Sequence, residues 1–195
     1  LARKSLQLIG YLENESQFGH LQVLLAGICC VACDFTAGRR AAETAITSLK
    51  SADGVGLLPM AYSHLGINLA ALGKLARAEQ QHDAAVDLAR KTRSVVLQAQ
   101  AMCNLAECYN RSGRPGDAGR LSPEMLQVAG STQNPHLTVA GQLCLAESLL
   151  MSGDYRGAEQ ILKPLARGDW SAIPAYSQAL ARLLSAWLDL ELGRI

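Results

Sequence analysis

Four glycines, Gly73, Gly113, Gly153 and Gly193, stand 40 residues apart. A glycine returning at a fixed interval of this size marks a recurring turn, and it confines the chain to a stack of like units rather than one globular core. The clearest unit runs from Leu57 to Lys91. Before Gly73 it is nearly uncharged. After Gly73, Leu75, Ala78, His82, Ala85, Leu88 and Ala89 recur at helical spacing, with Arg77, Glu79, Gln80, Asp83, Asp87 and Arg90 between them. The pattern predicts a first helix covered on several sides, a turn at Gly73-Lys74, and a second helix with one face in water. The fold class that follows is all-α, a solenoid of antiparallel helix pairs.

The same reading divides the rest of the chain. Residues 1–15 predict the second helix of a truncated pair, with Leu6, Ile9 and Leu12 on one face. Residues 21–51 predict a pair turning at Gly38-Arg39-Arg40, with Leu21 to Phe35 as its first helix and Ala41 to Lys50 as its second. Ser51 to Gly56 reads as a loop, because two glycines and an Asp oppose helix continuation. Pairs over 57–91, 95–130 and 137–168 follow, and 175–192 predicts a first helix without its partner, all in one array over 1–195. In the pair over 95–130, Gly116, Gly119 and Pro123 weaken the second helix, so a kinked helix beginning in earnest near Pro123 is expected. The absence of an initial Met and the unpaired helices at both ends suggest an excised piece of a longer polypeptide.

Apolar residues make up 49% of the 195 residues and aromatics only 5%, so the interior must be built from Leu, Ala, Val and Ile. Helix axes 8–10 Å apart need a small residue at the closest point. Gly66, Ala106, Ala146 and Ala186 are the candidates for that position. With 18 basic and 17 acidic residues, a net charge of +1 and no basic stripe, the region is not expected to bind nucleic acid. Arg90-Lys91-Thr92-Arg93 lies at a helix end, where cations complement the helix dipole. Val23 to Cys33 is too short to cross a bilayer, and Gly54 to Gly73 is interrupted by Pro59, Ser63, His64 and Asn68, so no membrane partner is expected.

Cys29, Cys30 and Cys33 are close enough in sequence to share a zinc ion. Aligning Ala42 with Ala78, however, puts Cys29-Cys30 on Leu65-Gly66 and Cys33 on Leu69, all packing positions. Cys103, Cys108 and Cys144 also fall in first helices, and six thiols used as small apolar groups fit a reducing, cytoplasmic compartment. His82 reads as a core or capping residue, and His20, His64 and His136 as surface or capping residues, since no metal spacing relates them. There is no GxSxG, no GxxxxGK[ST] and no HExxH. No catalytic residue, metal site or cofactor is predicted.

The pairs Leu65-Gly66, Leu105-Ala106 and Leu145-Ala146, the turn glycines, and Ala78, Ala118 and Ala158 five residues beyond them resemble the tetratricopeptide repeat family. The 40-residue unit exceeds the family's common 34, and is similar to the variant in the maltose-regulon activator and other large LuxR-type bacterial regulators. The resemblance implies a right-handed superhelix whose first helices line a concave groove. Its lining here would be Met60, Ser63, Ile67, Gln100, Cys103, Glu107, Asn110, Leu143 and Glu147, bordered by Asn104 and Arg111, with Ala140 in the same row. Such a groove implies a protein-interaction scaffold, expected to be the repeat or sensor region of a bacterial regulatory protein that binds a protein or peptide, or its own effector domain. The alternatives are a small-molecule-sensing domain of a transcription activator and an accessory domain of a signalling enzyme. End-to-end self-association is expected if terminal units expose apolar faces.

Overall fold

The computed structural model describes residues 15–52, 54–168, 170–171 and 173–194. Among these, nine α-helices follow one another without a strand: α1 Glu15–Val31, α2 Phe35–Ser51, α3 Leu58–Ala71, α4 Leu75–Lys91, α5 Val95–Arg111, α6 Pro115–Ser131, α7 Pro135–Met151, α8 Tyr155–Arg167 and α9 Ala175–Glu191. A short 3-10 turn, Val55–Leu57, leads into α3. The helix predicted over Leu1 to Asn14 lies outside the described residues. The chain divides into two compact units, Leu1–Asn104 and Leu105–Ile195. In unit 1, α1 to α4 pack consecutively and α1 also touches α3; in unit 2, α6 to α9 pack consecutively and α7 also touches α9.

The turns are finer-grained than the glycines suggest. Gly73, Gly113, Gly153 and Gly193 all have positive φ, but so do Cys33, Arg93 and Gln133. All but Gln133 sit where a helix closes with a paired hydrogen bond, as in Gly73 N–H to Ala70 O (3.0 Å) with Lys74 N–H to Leu69 O (2.9 Å), or Arg93 N–H to Arg90 O (3.1 Å) with Ser94 N–H to Ala89 O (3.1 Å); at Gln133 the first bond forms (to Gly130 O, 3.3 Å), while Asn134 N–H donates to Thr132 Oγ1 (3.1 Å). This left-handed cap satisfies the last carbonyls of the helix and reverses the chain in three residues. The next helix is then started by a side-chain acceptor where one is present: Asp34 Oδ1 accepts from Ala37 N–H at 3.0 Å and Asp154 Oδ1 from Gly157 N–H at 2.9 Å.

This geometry corrects the expected first pair. The turn lies at Ala32 to Asp34, not at Gly38-Arg39-Arg40, and α2 runs through Gly38. In the true register Gly38 takes the place of Ala78, Ala118 and Ala158, and Ala26 that of Gly66, Ala106 and Ala146; all eight are buried. Gly38 is a packing notch, because a Cβ there would strike the Asn68 side chain. Cys33 consequently occupies the turn and is exposed, Cys30 is half-buried, and only Cys29 is buried, in the place of Leu69. α6 is also unlike its expectation: it is helical from Pro115, with Pro123 inside it. Pro123 points to the exposed face, while Ala118, Ser122, Met125 and Ala129 bury the other and hold the helix in place.

The close-approach sites show how side-chain size is shared between helices. Gly66 on α3 faces the imidazole of His82 on α4, which fills the space a Cβ would need. At the same register stand Ala106 with Ser122 and Ala146 with Leu162, all buried. Ala186 departs from the expected role, because it is exposed. Among the described residues no helix follows α9 to cover it. In unit 2 the core joins Leu143, Ala146 and Leu150 of α7 to Ala158 and Leu162 of α8 and Ala181, Leu184 and Leu188 of α9. Gln178 Nε2 donates to the carbonyls of Trp170 (3.1 Å) and Ile173 (2.9 Å), which fixes the approach to α9.

Candidate binding face on the first helices

The expected groove residues lie on α3, α5 and α7, but they do not share one environment. In unit 1, Met60, Ile67, Gln100 and Asn104 are half-buried, whereas Ser63 and Cys103 are only 4% and 6% exposed. In unit 2, Glu107 and Glu147 are half-buried and Arg111 is exposed, whereas Asn110 and Leu143 are 2% and 1% exposed. Ser63, Cys103, Asn110 and Leu143 are thus not open groove positions. A first helix is covered both by its own partner and by the next first helix, as α7 is by α8 and α9, and this removes one more row of side chains from solvent than a lone hairpin would. Leu143 belongs to the core of unit 2.

Burial in unit 1 is accompanied by polar groups lodged against glycine. His64 packs on Gly27, where a Cβ would come within 3.1 Å of its ring, and His82 on Gly66. Burial holds the His64 imidazole below its ordinary range and pushes that of His82 down to about 4, so both are neutral at physiological pH. The Nδ1 atoms of both are buried without a hydrogen-bond partner. His64 is therefore a packing residue rather than the surface group expected, whereas His20 and His136 are exposed. These features are structural.

Unit 2 is where charge gathers. Asn110 Nδ2 donates to Glu147 Oε2 (3.0 Å) and to the Cys144 carbonyl (3.0 Å), tying α5 to α7 and orienting one carboxylate. Glu107, one turn earlier on α5, has its carboxyl pushed above the usual range, chiefly by burial, with the Arg111 guanidinium opposing and the charge of Glu147 adding. Tyr176 on α9 is 68% exposed, and its phenol is raised first by Glu107, then by burial, Cys144 and Glu147, with Arg111 opposing. Glu107, Arg111, Glu147 and Tyr176 therefore belong to one site built by three first helices. Tyr176 was not among the expected residues; an aromatic in the first turn of a first helix, in a chain with few aromatics, was the available signal. None of Glu107, Arg111, Glu147 and Tyr176 lines the cleft of about 470 Å³ between α8 and α9, which is bounded by Leu162, Ala166, Trp170, Arg182 and Asp189 among others.

Among the described residues no group of three or more His, Cys, Asp or Glu is placed to hold a metal ion, and no helix is long and apolar enough to cross a membrane. Residues 57–121 match the family model described as tetratricopeptide repeat. No curated protein matches the chain. Among solved structures, the apo form of RapI is similar over 84% of this chain at a TM-score of 0.71 and 12% identity, a likeness of fold. The chain covers 45% of that protein's length. Residues 57–121 thus carry tetratricopeptide repeats, and the helix pairs around them have the same kind of fold.

Proposed function

We propose that the chain is a non-catalytic scaffold that binds another protein through the first-helix face of unit 2. The observation that carries this reading is the convergence of Glu107, Arg111, Glu147 and Tyr176 from α5, α7 and α9. Mixed charge beside an exposed aromatic, on helices fixed by a buried core, suits recognition of a partner's side chains. The tetratricopeptide match over 57–121 supports the same reading. The region would serve as the repeat or sensor part of a bacterial regulatory or signalling protein in the cytoplasm, acting on a separate partner or on its own effector domain. In an affinity capture, a partner retained by the wild-type chain should be lost from Glu107→Lys/Glu147→Lys at a temperature where a cooperative melting transition shows the variant still folded. Retention of the same partner by that variant would refute the proposed face.

The cleft between α8 and α9 favours a second reading, a small-molecule sensor. In that case a cognate metabolite at 100 times its Kd would stabilise the chain by about 2.7 kcal/mol, and Arg182→Ala would abolish the shift. The exposed Leu183, Ala186 and Leu190 on α9 also leave a face for end-to-end self-association. Sedimentation of a concentrated sample as a monomer would refute that association.

A further inference from the structure

We propose that two copies of the chain pair through α9, antiparallel about a two-fold axis, each laying Leu183 and Leu190 against Ala186 and Ala179 of the other. The inference rests on self-association of the chain and gives it a face, a direction and a register.

The outer row of α9 is a helix-packing surface. Ala179, Leu183, Ala186 and Leu190 recur at spacings of four, three and four residues, so they share one stripe about 16 Å long. All four are exposed, Leu183 by 65% and Leu190 by 63%. The opposite side of the helix, with Ser177, Ala181, Leu184 and Leu188, is buried. One repeat earlier the same stripe is covered. Leu143, Ala146 and Leu150 stand 40 residues before Leu183, Ala186 and Leu190, carry the same side chains, and are buried in the core that α7 shares with α8 and α9. On α7 the Leu-Ala-Leu row meets packed helices, whereas on α9 it meets water.

The row is also complementary to itself. Large and small residues alternate along it, the pattern by which helices interlock at close approach. When two copies run antiparallel with Leu183 across from the partner's Ala186, Leu190 falls across from the partner's Ala179, and the two-fold axis repeats both contacts. Charge selects the same register. Arg182 and Asp189 flank the row on one side, seven residues apart, and half-buried Leu180 and Trp187 flank it on the other. In the antiparallel pair Arg182 meets the partner's Asp189, twice by symmetry, and Trp187 meets the partner's Leu180; a parallel pair makes no such ion pairs. Asp189 is 3.5 Å from Arg194 of its own chain, across an exposed surface where such a pair is weak, so its carboxylate can accept a second cation. Arg182, Ala186 and Asp189 also line the cleft between α8 and α9, and the pair covers that side of it. Tyr176 lies beyond the partner's last helical turn and stays open on the face of unit 2.

The test is sedimentation equilibrium of the whole chain at concentrations up to about 500 µM, where a small interface still populates a dimer. The wild-type chain should approach twice the mass of one chain, and Leu183→Glu should abolish the dimer. Arg182→Asp and Asp189→Arg should each weaken it by about tenfold or more, because like charges then face one another across the axis. An equimolar mixture of those two variants should recover the wild-type mass, since each supplies the charge that the other lacks. Thermal melting shows which variants are folded, and the mixture carries the test even where Leu183→Glu unfolds. A wild-type chain that stays monomeric would overturn both the pairing and the self-association. Association that survives Leu183→Glu, or a mixture no tighter than its components, would overturn the pairing and leave self-association through another face.

Discussion

Gly66 is small because of what lies on it. The His82 imidazole occupies the place of a Cβ, whereas the equivalent Ala106 stands opposite the smaller Ser122. Gly66→Ala should therefore cost about 1–3 kcal/mol through overpacking, and Gly66→Ala/His82→Ser, which copies the neighbouring pair, should recover most of it in denaturant unfolding. The same histidine makes the fold sensitive to acid. Its pKa is about 4 in the native state against about 6.5 unfolded, so the unfolded chain binds the extra proton first. Stability is fully present above pH 6.5 and falls as pH drops toward 4, by about 3 kcal/mol at the lower end, with His64 adding in the same direction. Glu107 acts oppositely. Its native pKa is raised, so its contribution is lost as pH rises above the ordinary carboxylate range. Unfolding of His82→Ser should lose less stability between pH 6.5 and 4 than the wild-type chain, the remainder coming from His64.

At the scale of the helix, glycine proved legible in one of its two uses. Where it supplies a left-handed cap, at Gly73, Gly113 and Gly153, spacing alone located the turn. Arg93, Gln133 and Cys33 adopt that conformation with a side chain; the boundaries between pairs located the first two reversals, and the one at Cys33, which carries no glycine, was missed. Gly38 was misleading for the opposite reason: it looked like a turn but accommodates Asn68 inside α2, and nothing in a one-dimensional pattern separates a notch from a cap. Arg93→Gly and Gln133→Gly should each stabilise the chain by up to about 1 kcal/mol in denaturant unfolding, since glycine avoids the Cβ penalty of positive φ. Pro123 misled by propensity. An internal proline is unfavourable by about 3 kcal/mol relative to alanine, but burial of Ala118, Met125 and Ala129 carries α6 through it. Pro123→Ala should accordingly raise stability, which thermal melting can measure.

For the molecule as a whole, the repeat was readable because one spacing constrains many residues at once. The binding face was only partly readable. Spacing places Glu107 and Glu147 in one row, but it cannot show that Asn110 and Leu143 are covered by the following first helix, nor that Tyr176 reaches the same site. Both depend on how successive pairs stack, which leaves no mark on local periodicity. The proposals for the face stand on that stacking, and amide hydrogen exchange resolved along the full chain tests it directly. Protected segments should match the helices from α1 to α9, including α6 from its second turn onward, with minima at residues 33, 73, 93, 113, 133 and 153. Rapid exchange throughout residues 115–122, or unbroken protection across residues 93 and 133, would contradict helix pairs joined by three-residue turns.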